Sequence, residues 1–215
     1  MDYNKHKEYF ETAYRTGSDI WTHLPIKDRG RMLMEQLPLG SLILDVGSGR
    51  GLFAKQLVEA GYRVIGIDFE GNIVKKTNED VKHWGLEGKL KFVEGDALDI
   101  PFTDNSFDGV CDFGLMENLY REDWEQYANE VSRVLKPGGF YLNISLSRET
   151  QNFFEFYPKS SETGEFKKYD VHYHFFKKDE MKKIFDHDLN TIEQNIEVVD
   201  NPNQVALLET LFQKK

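Results

Sequence analysis

Leu42-Ile43-Leu44-Asp45-Val46-Gly47-Ser48-Gly49-Arg50-Gly51 is the stretch that decides how this chain folds. Four of its first five residues are aliphatic, as a strand buried on both faces requires. Three glycines follow at alternate positions, and then Leu52, Phe53, Ala54, Leu57 and Val58 recur at helical spacing. The segment reads as a strand, a tight glycine turn and the start of a helix. Glycine tolerates positive φ and lets a ligand lie against bare backbone. The first turn of a helix adds unpaired N–H groups and the positive end of its dipole, which suit an anionic group. A bare strand-to-helix turn does not need three spaced glycines, so the pattern points to a ligand held at Gly47, Ser48, Gly49 and Gly51.

The spacing is Gly-x-Gly-x-Gly, with Asp45 just ahead of it. A dinucleotide fingerprint would be Gly-x-Gly-x-x-Gly, and Leu52 stands where its third glycine belongs. Further on, Tyr62-Arg63-Val64-Ile65-Gly66-Ile67-Asp68 reads as a second strand ending in a carboxylate. Such a group can accept hydrogen bonds from both hydroxyls of a ribose. The ligand expected here contains a ribose and carries a carboxylate or phosphate near the glycine turn.

Composition narrows the rest. The chain has 215 residues, enough for one α/β domain with a full core. Its net charge of −10 argues against a general nucleic-acid binder, since phosphate affinity rests on clustered Lys and Arg. A single cysteine, Cys111, excludes an intrachain disulfide and reads as a small buried residue. No apolar run approaches the roughly 20 residues of a membrane span, and the first residues lack a signal-peptide core. These features give the expectation of a cytoplasmic protein with no membrane partner.

With these residues in view, Asp45-Val46-Gly47-Ser48-Gly49-Arg50-Gly51 resembles the first motif of the class I S-adenosylmethionine-dependent methyltransferases. Other segments match in the same order. Phe69 follows the ribose acid, where that family sets an apolar side chain against adenine. Gly95-Asp96-Ala97-Leu98-Asp99-Ile100-Pro101-Phe102 resembles its adenine loop, with Asp96 and the Ala97 N–H facing the base. Phe107-Asp108-Gly109-Val110 resembles the start of strand four, and Arg133-Val134-Leu135-Lys136-Pro137-Gly138-Gly139 the turn before strand five. The matches cover Leu42 to Ser147. The resemblance implies a Rossmann-like, doubly wound α/β sheet of seven strands. It would be mostly parallel, with a C-terminal antiparallel hairpin and the order 3-2-1-4-5-7-6. It also implies S-adenosyl-L-methionine as cofactor and S-adenosyl-L-homocysteine as product. The cofactor residues carried over are Asp45, Gly47, Ser48, Gly49, Gly51, Asp68, Phe69, Asp96, Ala97 and, at the end of strand four, Asp112.

The flanks are read more loosely. One domain spans residues 1–215. Residues 1–37 form an aromatic, charged arm with a helix over Lys27 to Gln36, and Ser18 or Asp19 is a candidate cap. In the resembling enzymes such an arm closes over the site, which makes Tyr14, Arg15 and Trp21 lid candidates. Relatives often carry His near Asn118, so a histidine base is not expected there, and Asn118 is kept as a substrate candidate. Residues 148–172, with Phe153, Phe154, Phe156, Tyr157 and Arg148, read as a substrate-side insertion over the carboxyl ends of the strands. His172 and His174 alternate as strand residues do. With no third ligand nearby in sequence no metal is expected, and His174 is expected to orient a loop. Strand five is placed at Phe140–Leu146, and the closing strands at Thr191–Val199 and Gln204–Phe212. The resemblance implies methyl transfer to a small-molecule acceptor. The rivals are a nicotinamide-dependent oxidoreductase and a protein that binds the cofactor without turnover.

Overall fold

The computed structural model describes residues 3–19, 29–150, 162–199 and 205–215. Trp21, Phe153, Phe154, Phe156 and Tyr157 lie outside them. The first strand, β1 (Leu42–Val46), is buried along almost its whole length and leads through the glycine turn into α3 (Leu52–Glu59). Then come β2 (Arg63–Asp68), α4 (Gly71–Trp84), β3 (Leu90–Glu94) and β4 (Phe107–Phe113). After them, α5 (Trp124–Val134) runs into β5 (Leu135–Leu146). The chain closes with α6 (Lys178–Phe185), β8 (Leu189–Val198) and β9 (Ala206–Lys214). The sheet has seven strands in the order β3-β2-β1-β4-β5-β9-β8. Strands β1 to β5 pair in parallel, and β9 pairs antiparallel with both β5 and β8. Numbered along this sheet alone, that is the expected 3-2-1-4-5-7-6.

Strand alternation divides the core into two layers. Leu44, Val46, Val110 and Tyr141 face Trp124, Tyr127 and Val131 of α5 and Met181 and Phe185 of α6. Ile43, Cys111, Leu142 and Ile144 face Leu33, Phe53, Leu57, Val74 and Val81 on the opposite side. Full burial of such a side chain stabilises the fold by about 1.5–3 kcal/mol. Caps fix the helix that follows β2. The Glu70 carboxylate accepts from the N–H groups of Asn72 and Ile73 at 3.0 and 2.7 Å, and Gly85 ends α4 at φ 68°. Among the described residues no helix is long and apolar enough to cross a membrane.

Three expectations change. The helix placed at Lys27–Gln36 is a single turn, α2 (Arg31–Met34), because Gly30 precedes it at φ 80° with Phe53 packed against it. Lys136 to Gly139 does not break the chain ahead of β5. It forms a bulge inside that strand, between the pairs Phe107–Leu135 and Gly109–Phe140. The insertion after β5 contains a hairpin, β6 (Glu165–Lys168) and β7 (Val171–His174), turned by Tyr169 and Asp170 at φ 53° and 63°. Its exit docks on β5, where Phe176 N–H donates to Leu146 O at 2.7 Å. The N-terminal helix α1 (Asn4–Thr16) lies against β7 and the loop after β4. Tyr3 Oη donates to Asp123 at 2.8 Å, and His172 N–H donates to His6 Nε2 at 3.1 Å.

Candidate active site

The carboxyl ends of β1, β2, β4 and β5 open into a cavity of about 670 Å³, roofed by α1 and the β6–β7 hairpin. Gly47 and Gly49 form its floor at φ 72° and 48°. A methyl group added at Gly49 would lie 2.7 Å from Tyr14 Oη, so the roof closes directly on the turn. Gly51 does not reach the cavity. Its Cβ would lie 2.3 Å from Phe92, and a Cβ on Gly66 would lie 2.4 Å from the same ring. The third glycine therefore lets α3 and β3 pack.

Asp45, Ser48, Asp68, Phe69, Asp96 and Ala97 all line the cavity. Asp68 accepts from Gly49 N–H at 2.9 Å and from Glu70 N–H at 3.0 Å, which fixes its carboxylate at the turn. Burial raises its pKa to about 6 against the pull of those N–H groups. Asp45 is 2% exposed, and its Oδ2 is buried with no hydrogen-bond partner among the described residues. Burial and then the charge of Asp112 push its pKa to about 8. An orphaned acidic oxygen beside a glycine turn is a place prepared for a cation or a donor. Asp96 caps its own loop, accepting from Leu98 N–H at 2.8 Å. Phe69 meets Phe10 edge-on at 6.1 Å.

Asp112 is a correction. Cys111 and Asp112 point to opposite faces of β4, and Asp112 faces α5, away from the cavity. Its carboxylate accepts from Tyr127 Oη at 2.7 Å, Tyr141 Oη at 2.5 Å and Asn143 Nδ2 at 3.1 Å. Cys111 is buried, and burial holds its thiol neutral.

Of the lid and substrate candidates, Tyr14 and Asn118 line the cavity. Arg15 is exposed on the outer side of α1, and Arg148 lies in a separate groove with Arg121 and Lys177. Asp19 pairs with Arg50, and the turn it was expected to cap lies outside the described residues. The hairpin supplies the group that the sequence did not show beside His172 and His174. Glu165 brings the three within 4.8 Å of one another as a possible ligand set. Arg121 lies 3.5 Å from Glu165 and 3.3 Å from Glu180, and His174 Nε2 lies 3.0 Å from Glu180. These contacts join the hairpin to α6. Sequence reasoning missed Tyr9, Phe10, Phe166 and Tyr173 in the cavity wall. An aromatic residue carries no mark of the cavity it will face until the hairpin and arm are placed.

Residues 44–143 match the protein-family model described as a methyltransferase domain. The demethylmenaquinone methyltransferase of Staphylococcus carnosus is 34% identical over 170 residues, which is 70% of this chain and 68% of that protein. A sterol 24-C-methyltransferase of Gibberella zeae is 38% identical over 103 residues, 47% of this chain and 27% of that one. The chain spans less than half the length of several curated relatives that it matches. Among solved structures, the Burkholderia thailandensis 1,6-didemethyltoxoflavin-N1-methyltransferase, bound to 1,6-didemethyltoxoflavin and S-adenosylhomocysteine, superposes with a TM-score of 0.81 at 19% identity. That superposition covers 98% of this chain and 88% of the other.

Proposed function

The chain belongs to the class I S-adenosylmethionine-dependent methyltransferases, and from that premise we propose that it methylates a small, largely apolar acceptor held over the ends of β4 and β5. The observation that carries this reading is the buried Asp45 oxygen left unpartnered beside the glycine turn. It gives a cationic ligand both a reason and a place to bind. The residues fit the cofactor. The Gly47–Gly49 backbone and Asp45 would hold its amino-acid end, Asp68 its ribose, and Phe69, Asp96 and Ala97 its adenine. Bound there, S-adenosylmethionine supplies an electrophilic methyl group on a sulfonium sulfur.

The protein's own part is alignment and exclusion of water. Tyr14, Phe10 and Phe69 close the cofactor side, and Phe113, Leu115, Leu146, Phe166 and Phe175 wall the remaining space with apolar surface. Holding two reactants in line can contribute roughly 7–11 kcal/mol towards the barrier. Relatives named for demethylmenaquinone and for sterol 24-C methylation are named for small organic acceptors, in keeping with a cavity of about 670 Å³. Incubation with methyl-labelled S-adenosylmethionine and a panel of small aromatic and lipid-soluble metabolites tests the proposal. Label should move into a panel member with matching release of S-adenosylhomocysteine. Tight cofactor binding with no transfer to any member would favour a binding protein without turnover.

A further inference from the structure

Past the glycine turn, the wall of the cavity changes character. Beyond β4 the chain makes one short turn, Met116–Asn118, with Met116 buried in the α5 layer. Glu117 lines the cavity there, among Leu115, Leu146, Phe175 and Leu207. Its Oε2 accepts from Leu146 N–H at 2.8 Å, which ties the end of β4 to the end of β5. Among the described residues its one side-chain hydrogen bond is that of Oε2, and Oε1 lies 3.5 Å from where a Cβ on Gly114 would be. A tethered carboxylate with one free oxygen is thus set in an apolar wall. It stands on the β4–β5 side, away from Asp68, Phe69 and Asp96, which occupy the β1–β3 side assigned to the nucleoside. Burial raises the pKa of Glu117 to about 8 against the pull of the Leu146 N–H. Tyr173, across the cavity on β7, feels its charge.

Building on the proposed methyl transfer, we infer that Glu117 Oε1 receives the reacting O–H or N–H of the acceptor and takes its proton. The acceptor class is then an apolar, ring-bearing alcohol, phenol or amine with one donor aimed at Glu117. An acceptor that reacts at a site with no proton to give does not match it. In the step, a lone pair on the acceptor atom bonds to the methyl carbon. The carbon–sulfur bond breaks with its electrons going to sulfur, and the acceptor's proton passes to Oε1. Sulfonium and carboxylate charge disappear together, which suits a cavity of low polarity. Sequence alone does not single out Glu117 within its segment, because an isolated Glu at the end of a strand is most often a solvated residue.

The test uses the full chain saturated with S-adenosylhomocysteine and two probes, 2-naphthol and 2-methoxynaphthalene, titrated by calorimetry at about pH 9, where Glu117 is ionised and the naphthol still largely keeps its proton. The wild type should prefer the naphthol by about tenfold, the worth of one charge-assisted hydrogen bond. In Glu117→Gln the amide oxygen stays with Leu146 N–H and the amide NH₂ faces the cavity, so the preference should vanish or reverse. Glu117→Met keeps the volume and should leave no preference. S-adenosylhomocysteine should bind all three proteins alike. Failure of S-adenosylhomocysteine to bind the wild type overturns the methyltransferase reading itself. With it bound, absent naphthol binding, equal affinities in the wild type, or an unchanged preference in both variants overturns the role of Glu117.

Discussion

Arg50 holds Asp19 by two hydrogen bonds, Nε to Oδ2 at 2.5 Å and Nη2 to Oδ1 at 2.8 Å. The pair ties the residue in the middle of the glycine turn to the chain just beyond α1. Arg50 also donates to Tyr14 O at 2.8 Å, and its guanidinium lies 5.5 Å from the Tyr14 ring centre. The roof of the cavity is therefore latched to its floor. Asp19→Asn should cost roughly 1.5–3 kcal/mol of stability, as expected for a charged hydrogen bond whose Arg partner can rehydrate. Cofactor affinity should fall with it, and limited proteolysis should cut the arm faster. An arm cut at the wild-type rate would show that the latch does not hold it.

Carboxyl groups beside the cavity set a pH dependence. Asp45 and Glu117 have folded-state pKa values of about 8, and Asp68 about 6. All three are raised above their unfolded values, so the folded chain binds more protons than the unfolded chain between about pH 4 and pH 8. Their contribution is fully present below about pH 4 and is lost as pH rises towards 8. Stability without ligand should decline across that window. A cation beside Asp45 favours the charged carboxylate, so cofactor binding near pH 7 should release protons. Calorimetric enthalpies in two buffers of different ionisation enthalpy measure the release, and identical enthalpies would contradict it.

Gly66 tests close approach without any φ strain, since its φ lies outside the left-handed range. Its Cβ would meet Phe92 Cδ1 at 2.4 Å and Ser48 Oγ at 2.7 Å. Gly66→Ala should destabilise the protein by roughly 1–3 kcal/mol through overpacking. Adding Phe92→Leu should recover part of the loss, read as the denaturation midpoint of each variant. No recovery would place the strain elsewhere.

Asp112 separates structure from binding. Asp112→Ala strands three buried donors, from Tyr127, Tyr141 and Asn143. Each unsatisfied group costs about 1–3 kcal/mol. Thermal unfolding should shift well downward while the folded variant keeps the wild-type affinity for S-adenosylhomocysteine. A large loss of affinity in the folded variant would return Asp112 to the cofactor site.

The sheet was legible because its signals are local. Strand β1 is aliphatic, its glycines are spaced for backbone approach, and Asp68 ends the next strand. The same locality misled at Asp112. Strand period decides which face a side chain takes, and the adjacent Cys111 gave no clue to which layer would claim each residue. The β6–β7 hairpin escaped notice because its turn is Tyr169-Asp170, without the Asn-Gly or Gly-rich pair that usually marks a two-residue turn. The pairing of Asp19 with Arg50, 31 positions away, leaves no local mark in the sequence. The acceptor wall is assembled from the arm, the β4 turn, the hairpin and β9, and no short stretch of sequence contains it.

The central claim is that the cavity grips a sulfonium nucleoside by its ribose at Asp68. Calorimetric titration of S-adenosylmethionine into the wild type and Asp68→Ala tests it most directly. The wild type should bind one equivalent, and the variant should bind at least tenfold more weakly, since about 1.4 kcal/mol lost is a factor of ten. Equal affinity of the two proteins, or no binding by the wild type, would contradict the account.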